Sequence, residues 1–161
     1  MLPSIELAVL GGTGFYEMPG LTSLQEVQVA TPFGPTSDAI RVGELDGVGV
    51  AFLARHGRGH TILPSELPQR ANIWALKSLG VERVLSVSAV GSLRLDMEPL
   101  HAVVPNQVID RTRGRVSTFF GDGLVAHVGF AAPFCGETNG VLASSAEETG
   151  VHTHRGGTLV V

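Results

Sequence analysis

A glycine-rich turn at the end of an apolar run constrains the fold of this chain more than any other feature. The run is Ile5–Leu10, and the turn Gly11-Gly12-Thr13-Gly14 follows it directly. The run is short and apolar enough for a buried central strand. Open α/β sheets usually bind ligands where such strands end, at the carboxyl edge of the sheet. Because glycines let successive backbone N–H groups point towards one anion, the turn predicts a phosphate-binding loop that contains the Thr13 hydroxyl.

A second apolar run ends in a cationic cluster. The runs are Ala39–Leu45 and Val48–Leu53, joined by Asp46-Gly47 and followed by Ala54-Arg55-His56-Gly57-Arg58. Asp-Gly between two β-type runs is a strong hairpin signal, so we predict antiparallel strands that deliver Arg55 and His56 to one strand end. An arginine supplies a planar fork that can hold two phosphate oxygens at once. We therefore expect Thr13 and Arg55 to meet around one small oxyanion.

The remaining pattern predicts two helices and several further strands. The helices are Pro68–Leu79 and Glu137–Thr149, and the strands are Leu24–Ala30, Val84–Ser88, a run over Leu100–Ile109 that Pro105 interrupts, and Thr158–Val161. This alternation is typical of an α/β fold, here in one domain over residues 1–161, and the hairpin makes its sheet mixed. Trp74 is predicted to be ordinary core. The last strand stops without a turn or polar tail, which predicts a fold that is incomplete at its C-terminus.

Composition excludes several classes of protein. The 161 residues carry 11 basic and 15 acidic side chains, a balance that argues against a nucleic-acid-binding or membrane-surface protein. Cys135 is the only cysteine, so no disulfide can form within the chain. The N-terminal residues lack the basic stretch of a secretory signal, and no apolar run approaches the roughly 20 residues of a membrane-spanning helix. We therefore predict a cytoplasmic protein without nucleic-acid or membrane partners.

Two other kinds of active site have weaker support. The turn fits the first two glycines of a dinucleotide-binding motif, but Glu17 stands where the third glycine belongs. Asp110 and Asp122 would serve as the carboxylate pair of a glycosidase, yet the sequence fixes no distance between them. Neither pattern explains both the glycine-rich turn and the cationic cluster.

The histidines do not form a recognisable metal-binding pattern. His56 and His60 are four residues apart, but the glycines between them disfavour a helix. His152 and His154 share one face of a strand, without a third ligand beside them in the sequence. No metal site is predicted.

Blocks spread over most of the chain carry a family resemblance. They are Gly11-Gly12-Thr13-Gly14, Thr31-Pro32-Phe33-Gly34, Ala54-Arg55-His56-Gly57-Arg58, Arg70-Ala71-Asn72-Ile73-Trp74-Ala75-Leu76-Lys77, Ala89-Val90-Gly91-Ser92-Leu93, Val108-Ile109-Asp110-Arg111-Thr112, Pro133-Phe134-Cys135 and Gly157-Thr158. In this order they resemble the purine nucleoside phosphorylase family, most closely its methylthioadenosine phosphorylase branch. The resemblance implies a mixed, largely parallel central sheet flanked by helices, and assembly as a homotrimer.

The resemblance also implies an activity and a set of site residues. Members of the family split a purine nucleoside with inorganic phosphate as co-substrate and without a cofactor, and they release a free purine and a sugar 1-phosphate. The implied nucleoside is 5′-methylthioadenosine. Carried over by position, the phosphate-binding residues are Thr13, Arg55, His56, Ser88 and Ala89. His127 matches a histidine that a neighbouring subunit places near the 5′ substituent of the sugar, and the residue that protonates the purine is expected beyond Val161.

The sequence leaves the substrate open. Val87 stands where close relatives often carry a second hydroxyl, which predicts one fewer contact to phosphate. The family's purine-recognising residues lie beyond the end of this chain, so a methylthioinosine or general purine nucleoside phosphorylase is the alternative within the class. An inactive phosphate-binding fragment is the alternative outside it.

Overall fold

The computed structural model describes residues 4–11 and 18–161. The chain divides into two compact units, residues 1–89 with 116–119 and residues 90–115 with 120–161. The single domain over residues 1–161 stays a prediction. Neither helix of the described part has the length and apolar character needed to cross a bilayer.

The first unit is built on a mixed five-stranded sheet with one helix against it. The strands are β1 (Ile5–Gly11), β2 (Leu21–Val27), β3 (Ile40–Leu45), β4 (Val48–Ala54) and β5 (Arg83–Ser86), and the helix is α1 (Gln69–Ser78). The strand order is β2-β3-β4-β1-β5. The pairs β2–β3 and β3–β4 are antiparallel, whereas β1 pairs in parallel with both β4 and β5. The predicted α/β class with a mixed sheet is confirmed.

The predicted hairpin joins β3 to β4. Leu45 pairs with Val48, so the turn consists of Asp46 and Gly47 alone. Both residues have positive φ, 50° and 82°, as a type I′ turn requires. This turn sets the direction of β4, and with it the strand end at which Arg55 lies.

The core lies between α1 and one face of the sheet. Strand residues Ile40 and Leu53 pack there against Ala75 and Leu76 of the helix, and each fully buried large side chain contributes about 1.5–3 kcal/mol. Trp74 is 37 % exposed, so its prediction as ordinary core is wrong. A helix advances about 100° per residue, and the buried strip through 71, 72, 75 and 76 leaves residue 74 on its flank.

Two predicted strands differ from the observed ones at their ends. Strand β2 begins at Leu21 instead of Leu24, and its register with β3 shifts between Thr22 and Gln25. Strand β5 ends at Ser86, two residues earlier than predicted, where its pairing with β1 also ends. A shift in strand register depends on the partner strand, so alternation of apolar residues along one strand does not reveal it.

The second unit holds a helix and two short parallel strand pairs. Its elements are β6 (Ala102–Val104), β7 (Gln107–Ile109), α2 (Gly136–Glu148), β8 (Thr153–Arg155) and β9 (Thr158–Val160). Strand β6 pairs with β8, β7 pairs with β9, and α2 contacts β6 and β8. The predicted break at Pro105 is confirmed, because it separates β6 from β7. Including these pairs, four pairings among the described strands are parallel and two are antiparallel.

Candidate functional site

Three parallel strands of the first unit end side by side. In the register of the sheet, Gly11 at the end of β1 pairs with Ala54 at the end of β4, and Leu10 pairs with Ser86 at the end of β5. One further backbone hydrogen bond extends this alignment, from the Val87 N–H to the Leu10 carbonyl at 2.9 Å. The segments that leave these strands therefore start from one edge of the sheet, where open α/β sheets place ligands.

Beyond Gly11, the glycine-rich turn lies outside the described residues. Thr13 lies outside the described residues, as do Gly12 and Gly14. Gly11, the last described residue before the turn, is in register with Ala54, the residue that precedes Arg55. The assignment of Thr13 to an anion site stays a prediction.

Arg55 connects the ends of β4 and β5. Its side chain is half-buried, and Nη1 donates to the carbonyl of Val87 at 3.4 Å. That carbonyl belongs to the peptide bond that precedes Ser88, so the structure brings Arg55 close to the backbone at Ser88. A guanidinium has five N–H donors, and one long hydrogen bond leaves most of them able to bind an oxyanion.

His56 is held by its own loop. Its Nδ1 lies 2.9 Å from the carbonyl oxygen of Ile62, and its ring stacks on His60 with centroids 5.2 Å apart. Because a carbonyl only accepts, Nδ1 carries the proton in this contact. Nε2 then accepts a hydrogen bond from a phosphate hydroxyl when the ring is neutral, and donates to a phosphate oxygen only in the imidazolium form.

Arg58, the second arginine of the cationic cluster, is used differently. Its Nη2 donates to Glu26 at 2.7 Å and lies 3.5 Å from Asp38. The hydrogen bond from Arg58 is the main reason why the pKa of Glu26 is lowered, and Arg41 adds to the effect. Both members of the Arg58–Glu26 pair are about half-exposed, so the pair contributes little to stability. Arg58 thus forms ion pairs with Glu26 and Asp38. Among the described residues, no carboxylate forms an ion pair with Arg55.

Ser37 and Asn72 fix the backbone just before Arg55. The Ser37 hydroxyl donates to the Ala54 carbonyl at 2.8 Å, and the Ser37 N–H donates to Oδ1 of Asn72 at 2.9 Å. Asn72 is fully buried on α1, and its Nδ2 has no hydrogen-bond partner among the described residues. The loop at 37 also passes close to Gly57, whose φ is +72° and where a Cβ would lie 3.1 Å from the Ser37 carbonyl oxygen. We call these two hydrogen bonds of Ser37, to Asn72 and to Ala54, the clamp. Sequence reasoning missed the clamp, although a polar residue on the buried face of a helix is a signal for it.

Ser88 and Ala89 follow β5 and are exposed. Both still belong to the first unit, which extends to Ala89. The alignment of β5 with β1 and the contact of Arg55 with Val87 place the start of this segment beside the ends of β1 and β4. Their assignment to the anion site stays a prediction.

His127 belongs to the second unit. Every residue from 113 to 132 is exposed, and apolar residues flank the histidine: Val125 is 79 % exposed and Val128 is 74 % exposed. Nothing in the described structure holds the imidazole in place, so the assignment of His127 to a nucleoside site also stays a prediction.

The two aspartates of the glycosidase alternative lie in the second unit as well. Hydrogen bonds from Thr112, including one from its N–H to Asp110 at 2.7 Å, lower the pKa of the Asp110 carboxyl. A glycosidase general acid needs the opposite shift, towards neutral pH. The pKa shift of Asp110 is thus opposite to the one that a proton donor of this kind needs.

A second cluster of titratable groups lies on the short strand pair β6–β8. His101, His152 and His154 offer ring nitrogens that all lie within 4.8 Å of one another. Sequence reasoning found the pair His152 and His154 but not the third histidine, since His101 comes into reach only through the pairing of β6 with β8.

Comparison with known proteins gives a consistent result. The model of the phosphorylase superfamily matches residues 6–161. The S-methyl-5′-thioadenosine phosphorylase of Koribacter versatilis is 56 % identical over 155 residues, which cover 96 % of this chain and 53 % of that protein. The corresponding enzyme of Chloroflexus aurantiacus is 55 % identical over 159 residues, 98 % of this chain and 55 % of its own length. The chain thus spans about half the length of the curated relatives it matches.

Solved structures extend the comparison to three dimensions. The crystal structure of a methylthioadenosine phosphorylase from an antarctic soil metagenomic library has a TM-score of 0.95 and 50 % identity, and the match covers 98 % of this chain and 56 % of that one. A variant of the adenosine/methylthioadenosine phosphorylase of Schistosoma mansoni, in complex with methylthioadenosine, has a TM-score of 0.90 and 36 % identity, covering 98 % of this chain and 63 % of that one.

Proposed function

Because this chain belongs to the phosphorylase superfamily, we propose that the protein carrying it cleaves 5′-methylthioadenosine with inorganic phosphate. The products are adenine and 5-methylthioribose 1-phosphate, and phosphate enters as a co-substrate without a cofactor. Relatives named as S-methyl-5′-thioadenosine phosphorylases, at 55–56 % identity, support this nucleoside over others. So does the likeness to a solved structure that contains methylthioadenosine.

The observation that carries the proposal is the common edge formed by the ends of β1, β4 and β5. In the proposed site, phosphate lies at this edge and is bound by Thr13, Arg55, His56, Ser88 and Ala89. The register of Gly11 with Ala54 and the 3.4 Å contact of Arg55 with Val87 support this grouping. Arg55 supplies the positive charge, and the backbone and hydroxyl groups of the two turns supply neutral donors.

A bound phosphate explains the chemistry of bond cleavage. As the glycosidic bond breaks, positive charge develops on the sugar and negative charge on the departing purine. A phosphate dianion held beneath the anomeric carbon stabilises that positive charge and then captures the sugar, forming the new C–O bond. The attraction between phosphate and sugar is stronger in the transition state than in the ground state. A rigid phosphate site therefore raises the rate of bond cleavage in addition to binding phosphate. The clamp of Ser37 and Asn72 on the backbone before Arg55 supports such rigidity.

His127 is proposed to act on the nucleoside bound by a neighbouring subunit of a homotrimer. The exposed segment around it carries apolar side chains, Val125, Val128 and Phe130, which are 79 %, 74 % and 61 % exposed. Large apolar side chains that are exposed close together on a surface are typical of protein–protein contacts. The histidine would then lie near the 5′ substituent of a nucleoside held by the other subunit.

Adenine release by the purified protein tests the reaction. We expect adenine to form from 5′-methylthioadenosine only when phosphate is added, and faster than the free base forms from 5′-methylthioinosine, adenosine or inosine, as followed by chromatography. Faster release from an inosine-type substrate would favour the methylthioinosine or general alternative. Phosphate binding without release of any base would favour the inactive phosphate-binding alternative and overturn the proposal.

Mixed oligomers test the role of His127. An Arg55→Met variant and a His127→Ala variant are each expected to have low activity. When the two are unfolded together and refolded as a mixture, sites that combine Arg55 of one subunit with His127 of the next are wild type, so activity should return to a fraction of the normal value. Absence of any recovery in confirmed mixed trimers would contradict a shared site.

A further inference from the structure

The three histidines His101, His152 and His154 lie together for reasons of strand geometry. His154 is in β8 and His152 precedes that strand by one residue, so their side chains emerge on the same face. Ala102 pairs with Thr153 in the parallel register, and its N–H donates to the His152 carbonyl at 2.9 Å. His101, which precedes Ala102, therefore stands beside His152 across the strand pair. The backbone itself assembles a triangle of imidazoles.

The rings are close enough for their nitrogens to share one ligand. The centroids of His101 and His152 are 4.2 Å apart, and those of His101 and His154 are 5.1 Å apart. Nδ1 of His101 lies 3.0 Å from Nε2 of His154. Two nitrogens bound at 2.0–2.1 Å to a tetrahedral zinc ion are about 3.3 Å apart, so this pair already has nearly the required separation.

A hydrogen-bonded trio without a ligand explains the cluster less well. Nδ1 of His101 accepts the Glu98 N–H at 3.2 Å, and the same nitrogen lies 3.0 Å from Nε2 of His154. His152 contributes only ring contacts to this arrangement. A metal ion would use all three rings, and ligation through Nδ1 of His101 would replace the contacts with Glu98 and His154.

The surroundings suit a cation that enters from solvent. His152 is exposed and the other two rings are half-buried, which leaves a path to the cluster and room for a water as the fourth ligand. Neutral imidazole is a preferred ligand of Zn²⁺ and its neighbours in the first transition series, and three histidines with one open position form a known type of zinc site.

We propose that His101, His152 and His154 bind a divalent first-row transition-metal ion, Zn²⁺ in the first place, and that this ion joins β6 to β8. The site uses none of the residues proposed to bind phosphate and requires no step of the proposed phosphorolysis. Bound metal would stabilise the second unit by linkage, because the unfolded chain does not hold the three rings together.

Metal titration of the untagged full chain tests the proposal. After removal of metal with a chelator, Co²⁺ is added as a spectroscopic substitute for Zn²⁺. We expect one equivalent to bind, with visible absorption bands of tetrahedral intensity that Zn²⁺ then abolishes. Zn²⁺ in hundredfold excess over its Kd should raise the Tm by at least ~2 °C.

Substitution of single histidines identifies the ligands. His101→Gln, His152→Gln and His154→Gln should each weaken binding by at least about tenfold, since even a change behind a ligand costs 10- to 100-fold. His127→Gln, an exposed histidine of the same unit outside the cluster, is the matched control and should bind as the wild type does. If His101→Gln or His154→Gln fails to fold, His152→Gln decides, because its side chain is exposed. Binding of less than about 0.1 equivalent by the wild type, or binding unchanged in His152→Gln, would overturn the proposal.

Discussion

Replacing Asn72 with alanine tests the clamp that positions Arg55. Asn72 is fully buried, and its Oδ1 accepts the Ser37 N–H at 2.9 Å. The change leaves the half-buried Ser37 N–H without its partner, which costs about 1–3 kcal/mol. The substitution also removes the unpaired Nδ2, which offsets part of that cost. We therefore expect the free energy of unfolding to fall by about 2 kcal/mol.

Urea unfolding followed by circular dichroism measures this loss. Lys77→Ala is the matched control, since Lys77 lies on the same helix but is exposed, and it should change stability by less than about 0.5 kcal/mol. Ser37→Ala removes the hydrogen bond to the Ala54 carbonyl and should cost about 1 kcal/mol. Because both changes release the same loop, the double variant should lose at least about 0.5 kcal/mol less than the sum of the single variants. A loss in Asn72→Ala no larger than that in Lys77→Ala would refute the clamp.

Two further predictions concern a close backbone approach and an ion pair. A Cβ at Gly43 would lie 2.9 Å from the Thr22 carbonyl oxygen, whereas one at Gly140 in α2 would meet nothing within 4 Å. Gly43→Ala should therefore destabilise the protein by about 1–3 kcal/mol, and Gly140→Ala should stabilise it by about 0.5–1 kcal/mol. Urea unfolding measures both changes. Equal effects of the two substitutions would contradict the close packing at Gly43. The pKa of Asp96 is lowered from 3.8 to about 2, mainly by its hydrogen bond with Arg94. The stabilisation from this pair is thus present above pH 3.8, the pKa of Asp96 in the unfolded chain, and is lost as pH falls towards 2. NMR of the carboxyl carbon should show the pKa of Asp96 returning towards 3.8 in Arg94→Gln but not in Arg83→Gln.

The sequence predicts the turns, strand ends and strand breaks around the site, because neighbouring residues in the chain determine them. Asp46-Gly47 specified a two-residue turn, and the apolar run after it specified β4, so Arg55 was predicted at a strand end and lies at one. The break at Pro105 followed from the missing N–H of proline in the same way. These features depend on a few consecutive residues.

Features that depend on distant partners could not be predicted in this way. Ser37 and Asn72 are 35 residues apart in the chain, and His101 and His154 are 53 apart, so neither pair forms a sequence pattern. The sequence predicts Trp74 to be ordinary core, but Ala71, Asn72, Ala75 and Leu76 form the buried face of the helix, and Trp74 stays partly exposed. Which face of α1 is buried is decided by packing against β-strands, and hydrophobicity alone does not give it.

The phosphate dependence of two arginine variants tests the central claim most directly. Arg55 and Arg58 lie three residues apart in one loop, but the guanidinium of Arg58 faces Glu26 and that of Arg55 extends to the end of β5. Loss of a desolvated, charge-assisted contact to phosphate costs about 2–4 kcal/mol, so Arg55→Met should lower kcat/KM for phosphate by about 30- to 1,000-fold. Arg58→Met should stay within about threefold of the wild type. Equal phosphate kinetics in the wild type and Arg55→Met, or a larger defect in Arg58→Met, would contradict a phosphate site at the shared ends of β1, β4 and β5.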